Sequence, residues 1–439
     1  PGNVLDFPVL VRLGPADSAI FAAAHSTGRD IRFSKANNTT RLPHEIDHWN
    51  AAARTAAVWV RVDTVYGNNA SQTIRMHWGN PSAANLSDGN AVFDTAAGYV
   101  GVWHLGGDTS ANARHNSVRG GHPAVPRGSP ENLASGWPRI SGLIGLADTL
   151  RGQDGTNLAA RTANDHLNIG RGYNNFGGRM TFSMWAFSVV VSNTEWQQYL
   201  SMGNHIVSGT TSNVLWMGRQ GTASHTFSSE IFTGAANHTH SPTGGITPGA
   251  WNHLVWTVDS LSHVMYKDGA QVATSTKAAA IVDIVRDSAF IGRAGGWGDR
   301  NTRGVFDEVR VSRVARSANY VKLSFENQKA VQSLVTLTRD TTVSVAAAAL
   351  PATALSAKAV SGGILFQADA ARAGSLRVEV LDMHGRTVWS RAVEASAGRT
   401  TLTWEGAATA GMGVYVVRMS LGTGDGATAR LQRKIPLTR

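Results

Sequence analysis

Two histidines four residues apart, His44 and His48, enclose acidic residues in the order His-Glu-Ile-Asp-His. This spacing matches the H-E-x-x-H motif, in which two histidines bind zinc and the glutamate is the general base of a peptidase. That chemistry needs a helix, because positions i and i+4 then lie on one face about 5–6 Å apart. Pro43 precedes the motif and alternating sequence surrounds it, which predicts a strand, where the two histidines would be roughly 13 Å apart. The motif therefore favours a structural role, and a helix over residues 44–56 would reverse that interpretation.

Carboxylates in the middle of the chain could carry acid–base chemistry. Glycoside hydrolases use two carboxyl groups, about 5 Å or roughly 6.5–9.5 Å apart. Glu195 and Glu230 are the first pair to test, although neither lies in a recognisable catalytic motif. Asp307 and Glu308 are adjacent, and on a regular strand they would point to opposite faces, which makes them a poor pair.

Two groups of residues could bind a metal ion. Calcium takes several carboxylate and carbonyl oxygens, and Asp299 with Asp307 could supply them near the loop 298–302. The alternative is ordinary turn chemistry of Asp and Asn, so no cofactor is certain and Ca²⁺ is the candidate. A second group combines one carboxylate with histidines at irregular spacing: Glu230, His225, His238 and His240.

Tryptophans next to polar loop residues could bind sugar, because flat aromatic rings stack on pyranose faces. Trp297 lies in a Gly-rich loop and Trp196 lies near another loop, so these two are the candidate stacking residues. The alternative for each is a half-buried structural tryptophan. Candidate polar partners of the sugar are Asn193, Asp299 and Arg300. Three other tryptophans lie within alternating runs and are predicted to be in the core: Trp185, Trp251 and Trp256.

Short strands must position these residues, because alternation of apolar and polar residues is the dominant local pattern. One helix of about two turns is predicted over residues 317–326, with Ser317 as its cap. Many short strands with Gly-rich turns predict an all-β fold built from β-sandwiches. Changes in composition predict four segments: a β domain at 1–84, a larger β domain at 85–335, a linker at 336–361 and a compact β-sandwich at 362–439.

Composition excludes several functional classes. The 439 residues include no cysteine, so disulfides, zinc–thiolate sites, iron–sulfur clusters and a cysteine nucleophile are ruled out. The formal charge is +10, from 40 Lys and Arg against 30 Asp and Glu, but the basic residues are scattered and form no nucleic-acid-binding signature. No apolar run reaches the 18 or so residues of a membrane span. We therefore expect neither a nucleic-acid partner nor insertion into a membrane.

Three stretches resemble known families. Residues 28–33, 42–46, 58–62 and 76–80 carry a resemblance to the bacterial domain-of-unknown-function family numbered 2341. The run Met180-Thr-Phe-Ser-Met-Trp-Ala, the hairpin around Asp268-Gly269 and the run Gly304-Val-Phe-Asp-Glu-Val-Arg-Val are similar to concanavalin A-like and laminin-G-like jelly rolls. This second resemblance implies a fold and leaves the function open, since the fold hosts binders, adhesins and hydrolases.

The third resemblance lies in the last segment. Residues 376–386, 402–406 and 413–418 resemble the C-terminal sorting domain of type IX secretion, an Ig-like β-sandwich. The resemblance implies an outer-membrane export and surface-anchoring machinery as a partner. It also implies a location outside the cell or on the outer surface of a Gram-negative bacterium.

Together these observations favour a secreted or cell-surface carbohydrate-binding or adhesion protein of a polysaccharide-degrading bacterium, with polysaccharide as its ligand. One alternative is a glycoside hydrolase acting on plant cell-wall glucan or xylan through Glu195 and Glu230. Another is a structural component of a surface or filament. A groove lined by tryptophan without a carboxylate pair would favour the binder, and a pair about 5–9 Å apart would favour the enzyme.

Overall fold

The computed structural model has 55% strand and 8% helix, which confirms the all-β prediction. The chain divides into two compact units, Pro1–Thr336 and Leu337–Arg439. None of the helices in the described part of the chain is both long and apolar enough to cross a membrane. The structure describes residues 2–80, 82–106, 113–128, 139–152, 165–174, 176–189, 196–204, 213–220, 225–233, 237–241, 245–275, 280–295, 301–338, 354–370, 373–396, 398–406, 410–411, 413–423 and 428–437.

The first unit contains 21 strands and three α-helices among its described residues. The strands are β1 (Val4–Leu13), β2 (Arg32–Lys35), β3 (Arg41–Leu42), β4 (His44–Asn50), β5 (Thr55–Val65), β6 (Ile74–His77), β7 (Tyr99–Trp103), β8 (Val125–Arg127), β9 (Arg139–Ser141), β10 (Leu146–Leu150), β11 (His166–Gly170), β12 (Arg179–Ser188), β13 (Gln197–Gly203), β14 (Val214–Arg219), β15 (Phe227–Phe232), β16 (Asn237–His240), β17 (Trp251–Asp259), β18 (Ser262–Lys267), β19 (Ala270–Ser275), β20 (Ser288–Ile291) and β21 (Gly304–Ser312). The helices are α1 (Ser18–Ala23), α2 (Gly89–Val92) and α3 (Ala318–Gln328), with 3₁₀ turns at Pro15–Asp17 and Thr95–Ala97.

Two large antiparallel sheets form the jelly roll of this unit. The first sheet has the order β19-β18-β17-β12-β21-β10-β9, with β7 also paired to β21. The second sheet has the order β16-β15-β14-β13-β20-β11-β8. Alternation along each strand sends one set of side chains into the space between the sheets, where Phe182, Trp256 and Met217 belong to one large apolar cluster.

The N-terminal strands pack on the outside of the first sheet. Strands β1, β5 and β4 form one sheet, and β3, β2 and β6 form another. We call these two sheets the N-terminal layer. One face of β5 packs within the N-terminal layer, while Trp59 on its other face packs with Phe93, Tyr99 and Val102. Tyr99 and Val102 belong to β7, so the layer and the jelly roll share apolar contacts. The boundary predicted near residue 84 falls inside this unit.

Helix α3 joins the end of the jelly roll to strand β1. It is longer than predicted, and the Ser317 hydroxyl accepts a hydrogen bond from the Tyr320 amide at 3.2 Å, as a cap does. The Asn327 side chain accepts from the Leu10 amide at 2.7 Å and donates to the Leu10 carbonyl at 3.1 Å. Because β1 lies at the end of its sheet, Asn327 takes the place of a neighbouring strand there.

The second unit is a smaller sandwich. Its strands are β22 (Ala354–Val360), β23 (Gly363–Ala370), β24 (Gly374–Leu381), β25 (Thr387–Ala395), β26 (Gly398–Trp404), β27 (Gly413–Thr423) and β28 (Thr428–Leu437). Its two sheets have the orders β22-β23-β26 and β25-β24-β27-β28 and enclose a core that includes Phe366, Val378 and Trp404. The linker predicted for residues 336–361 includes strand β22.

Candidate functional site

Several sequence-predicted site residues lie outside the described residues. Trp196, Glu230 and Asp307 are described, and their surroundings are given below. The residues outside the described part are Asn193, Glu195, Trp297, Asp299 and Arg300. Their assignments to glycan binding, catalysis or calcium stay predictions.

A line of paired residues crosses the outer face of the second sheet. Cross-strand partners project to the same side of a sheet, and the partners in this line alternate with the residues that fill the core. The line contains aromatic, hydroxyl, amide and carboxyl side chains, and it spans about 29 Å, six strand spacings of roughly 4.8 Å. We call it the outer row: Val125, Asn168, Phe290, Ser201, Trp216, Glu230 and Thr239.

The acidic end of the outer row is tightly packed. The buried Glu230 carboxylate accepts hydrogen bonds from the Thr239 hydroxyl at 2.5 Å and from the Trp216 indole. Burial raises the pKa of Glu230 above its ordinary value despite these donors. The half-buried Trp196 stands edge-on to Trp216, with 5.5 Å between the ring centroids. Trp196 therefore borders a ring that itself contacts the carboxyl group.

The other end of the outer row is more open and carries positive charge. Phe290 is half-buried, and the guanidinium carbon of the exposed Arg293 lies 5.0 Å from its ring centre. The His166 ring meets Phe290 edge-on at 5.3 Å. Asn168 pairs with Phe290 across the strands, so an amide group adjoins the ring. An aromatic ring bordered by amide and guanidinium groups suits a sugar ring with its hydroxyl or carboxylate substituents.

Carboxylates are sparse on this face. At the outward positions of the described strands of the second sheet, Glu230 is the one acidic residue. Because Glu195 lies outside the described residues, the pairing of Glu230 with Glu195 as a hydrolytic dyad stays a prediction. His238 and His240 flank Thr239 on β16 and so project to the face opposite Glu230. Among the described residues, the ligand atoms of Glu230 and these histidines are not close enough together to share one metal ion, so the structure does not support the metal group that the sequence offered.

A buried charged cluster lies where strand β4 faces β21 and the end of β7. His104 bridges two carboxylates, with Nδ1 2.7 Å from Glu308 Oε1 and Nε2 3.2 Å from Glu45 Oε2. Arg310 donates to Glu308 Oε2 at 2.7 Å and lies 4.4 Å from the Trp59 ring centre. We define the buried charged cluster by six residues: Glu45, Asp47, His104, Asp307, Glu308 and Arg310.

Two β-bulges aim acids into this cluster. The pairing of β4 with β5 shifts between Ile46 and His48, at Asp47. The pairing of β21 with β12 shifts at Glu308, which has a φ of 51°. A bulge adds one residue to a strand, so Asp307 and Glu308 both lie on the side away from the jelly-roll core. The prediction that they point to opposite faces is wrong for this reason.

The acids of the cluster differ in their ionisation. Burial raises the pKa of Asp47 to about 7, and burial together with Glu308 raises the pKa of Asp307 well above its usual range. Burial alone would lower the pKa of His104, but Glu308, Asp47 and Glu45 raise it well above its ordinary value. Burial would raise the pKa of Glu308, but His104 and Arg310 lower it. Opposite charges are therefore paired at the centre of the cluster.

Asp307 was predicted to bind calcium. Its carboxylate is fully buried, and Oδ2 accepts a hydrogen bond from the Ile144 amide at 2.9 Å. Because Asp299 lies outside the described residues, their joint calcium site stays a prediction.

The H-E-x-x-H segment lies on strand β4, as predicted. His44 is buried, and burial with the nearby Arg32 lowers its pKa to about 4. The His48 ring contacts the Thr55 hydroxyl at 3.1 Å. The strand excludes the helical geometry that a zinc peptidase needs from this motif. The acids between the two histidines, Glu45 and Asp47, instead belong to the buried charged cluster, which spacing alone did not reveal.

Two family models match parts of the chain. Residues 27–100 match a domain of unknown function, DUF2341, and residues 161–322 match the concanavalin A-like lectin/glucanases superfamily. These matches confirm the first two resemblances noted in the sequence. No curated protein matches the chain.

Solved structures with similar folds include sugar-binding and protein-binding domains. Domain 4 of AbnA, a GH43 extracellular arabinanase from Geobacillus stearothermophilus solved with arabinotriose, has a TM-score of 0.40 at 16% identity, covering 51% of this chain and 97% of that domain. The CBM40 of Ruminococcus gnavus IT-sialidase has a TM-score of 0.30 at 14% identity, covering 36% and 96%. The binding domain of Botulinum neurotoxin DC with rat synaptotagmin II has a TM-score of 0.37 at 10% identity, covering 75% and 73%. At these values the neighbours do not identify a ligand for this chain.

Proposed function

We propose that this chain is a secreted or cell-surface carbohydrate-binding protein that holds polysaccharide along the outer row of its jelly roll. The observation that carries the proposal is the composition of that row. Aromatic rings at Phe290 and Trp216 share one line with the Asn168 amide and the Glu230 carboxyl group. An extended glycan presents repeated apolar ring faces and hydroxyl groups at a comparable spacing.

The two ends of the outer row contribute differently. The exposed Arg293 lies over the half-buried Phe290 ring, and this pair would present a flat surface with hydrogen-bond donors to a sugar ring. Trp196 covers Trp216 at the other end, so a bound chain would contact Trp196 before the acidic residue beneath it. The C-terminal sandwich would direct export to the outer surface of a Gram-negative cell, as its resemblance to a sorting domain implies.

Affinity electrophoresis on a panel of soluble polysaccharides tests the binding proposal. We expect retardation of the full chain on at least one polysaccharide, and a loss of retardation in Phe290→Ala and Trp196→Ala. Loss of a buried aromatic contact costs about 1.5–3 kcal/mol, which corresponds to roughly 10–150-fold weaker binding. Trp78→Ala is the matched control, because Trp78 is an exposed aromatic residue in the N-terminal layer. Equal retardation of all three variants, or none for the wild type, would overturn the proposal.

Glu230 supports a second candidate, a glycoside hydrolase acting on plant cell-wall polysaccharide. A buried carboxyl group with a raised pKa on an aromatic face is what a general acid requires. Its partner would be Glu195, and the substrate would be glucan or xylan. Release of reducing sugar that is lost in Glu230→Gln would favour the hydrolase, and retardation without release would favour the binder.

A further inference from the structure

We propose that Asp47, His104 and Glu308 bind one divalent transition-metal ion, of which Zn²⁺ is the representative, between the N-terminal layer and the jelly roll. This site is distinct from the outer row, and the proposal does not depend on glycan binding. The three residues come from β4, from the chain directly after β7 and from β21, so a bound ion would tie three separate segments together.

The geometry is close to that of a three-ligand site. One ligand atom from each of the three residues lies within 4.8 Å of the other two. Zinc binds nitrogen and oxygen ligands at about 2.0–2.2 Å, which separates tetrahedral neighbours by about 3.3 Å. His104 Nδ1 and Glu308 Oε1, now 2.7 Å apart, would separate by about half an ångström. The Asp47 oxygen lies within 4.8 Å of the other two ligand atoms, so it would move inward by at most about 1.5 Å to reach the same separation.

Unpaired buried oxygens provide an independent indication of a ligand. Asp47 Oδ2 is buried and has no hydrogen-bond partner, and the same holds for Oδ1 of the fully buried Asp307. A buried carboxylate oxygen without a partner is costly. Glu308 also adopts a φ of 51°, which is unfavourable for a side chain of this kind. Strained residues and bulges of this sort occur where a side chain must be aimed at a ligand.

The surrounding groups complete the arrangement that metal-binding histidines have. Glu45 Oε2 lies 3.2 Å from His104 Nε2, so that nitrogen can donate its proton to Glu45 while Nδ1 faces the ion. A carboxylate that orients a ligating histidine in this way is the usual second partner at zinc sites. Arg310 holds the other oxygen of Glu308. The Trp59 ring stacks on His104 at 5.5 Å and 16°, which fixes the imidazole plane.

Charge and ligand type indicate the class of ion. The ligand set of two carboxyl groups and one imidazole carries two negative charges when both carboxyl groups are ionised, which suits a divalent cation. Calcium prefers six to eight oxygen ligands, whereas one imidazole with two carboxylates suits zinc and its neighbours in the first transition row. Asp47 is the one partly exposed member of the cluster, so we expect the ion to enter on its side.

Zinc titration of the full chain tests the proposal. The protein is stripped with a chelator, dialysed and titrated with Zn²⁺ alone by calorimetry, and the bound metal is counted by mass spectrometry. We expect one zinc per chain in the wild type, and at least tenfold weaker binding in Asp47→Asn. Asp63→Asn is the matched control, because Asp63 is an exposed acid on β5 in the same layer. We expect it to bind zinc like the wild type.

Thermal unfolding adds a second readout. Zinc should raise the unfolding temperature of the wild type and of Asp63→Asn and leave that of Asp47→Asn unchanged, since only a folded site binds the ion. Asp47→Asn keeps the side-chain shape and removes a group whose Oδ2 makes no hydrogen bond, so we expect it to fold. Zinc bound with equal affinity in Asp47→Asn, or an equal rise in its unfolding temperature, would overturn the proposal. Absence of stoichiometric binding to the wild type would also overturn it.

Discussion

Replacing Asn327 by alanine should destabilise the first unit well beyond the effect of shortening one side chain. The Asn327 amide makes two buried hydrogen bonds to Leu10, at 2.7 Å to its N–H and 3.1 Å to its carbonyl. The substitution leaves both backbone groups without a partner at the edge of β1. Each unsatisfied buried group costs about 1–3 kcal/mol, so the loss of two partners should lower the free energy of unfolding by roughly 2–6 kcal/mol.

Urea unfolding of the full chain, followed by tryptophan fluorescence and circular dichroism, measures this loss. The two units can unfold separately, so the transition of the first unit is fitted on its own. Asn319→Ala is the matched control, because Asn319 lies on the same helix and gains the same helix propensity on substitution. A difference between the two variants of less than about 0.5 kcal/mol would refute the reasoning, since neutral surface changes fall within that range.

Two further changes should have measurable effects. Burial lowers the pKa of His253 to about 3, so between about pH 6 and pH 3 the unfolded chain binds a proton that the folded chain does not. The free energy of unfolding of the first unit should therefore fall by up to about 1.4 kcal/mol per pH unit as the pH decreases. Urea titrations from pH 7 to pH 5 should show a shallower dependence of this free energy on pH in His253→Gln. An equal dependence in the wild type and the variant would contradict the assignment. A Cβ at Gly218 would lie 2.1 Å from the Gln197 carbonyl oxygen, so Gly218→Ala should lower stability by more than about 2 kcal/mol and weaken polysaccharide retardation. Gly14→Ala is the control, because the added carbon has open space around it. Equal unfolding midpoints in Gly218→Ala and Gly14→Ala would count against the close approach of β13 and β14.

The sequence was sufficient to predict the all-β architecture because alternation is a local signal. Segments such as 256–259 and 376–380 alternate between apolar and polar residues, and they lie in β17 and β24. The helix after Ser317 was also predicted, since its cap and apolar spacing lie within a few residues. Its extension to Gln328 depends on contacts with β1, which is distant in sequence.

The bulges were harder to predict, although one left a trace. Phe306 and Val309 both enter the core, so the apolar period lengthens from two to three at Glu308. That irregularity could have identified the bulge and placed Asp307 and Glu308 on one side. Nothing local joins them to Asp47 or His104. The pairing of β7 with β21 brings His104 to Glu308, and packing of the N-terminal layer on the first sheet adds Asp47.

The outer row depends on register, which composition does not reveal. Trp216 lies on β14 and is almost fully buried beside Glu230, and no sequence motif links these two residues. Its neighbours in the row come from β20, β13 and β15, strands that are adjacent only after the sheet has formed. A single sequence contains the residues of such a row, but it does not show which strands become neighbours in the sheet.

The bond between Asn327 and Leu10 joins positions 317 residues apart, and this separation has a consequence for synthesis. A ribosome adds about 5–20 residues per second, so Leu10 waits for its helical partner for roughly 15–60 seconds. Throughout that interval β1 can pair with β5, but its other edge exposes hydrogen-bonding groups that another nascent chain could capture. The N-terminal layer therefore begins to form before the jelly roll and gains this edge contact only once helix α3 is available.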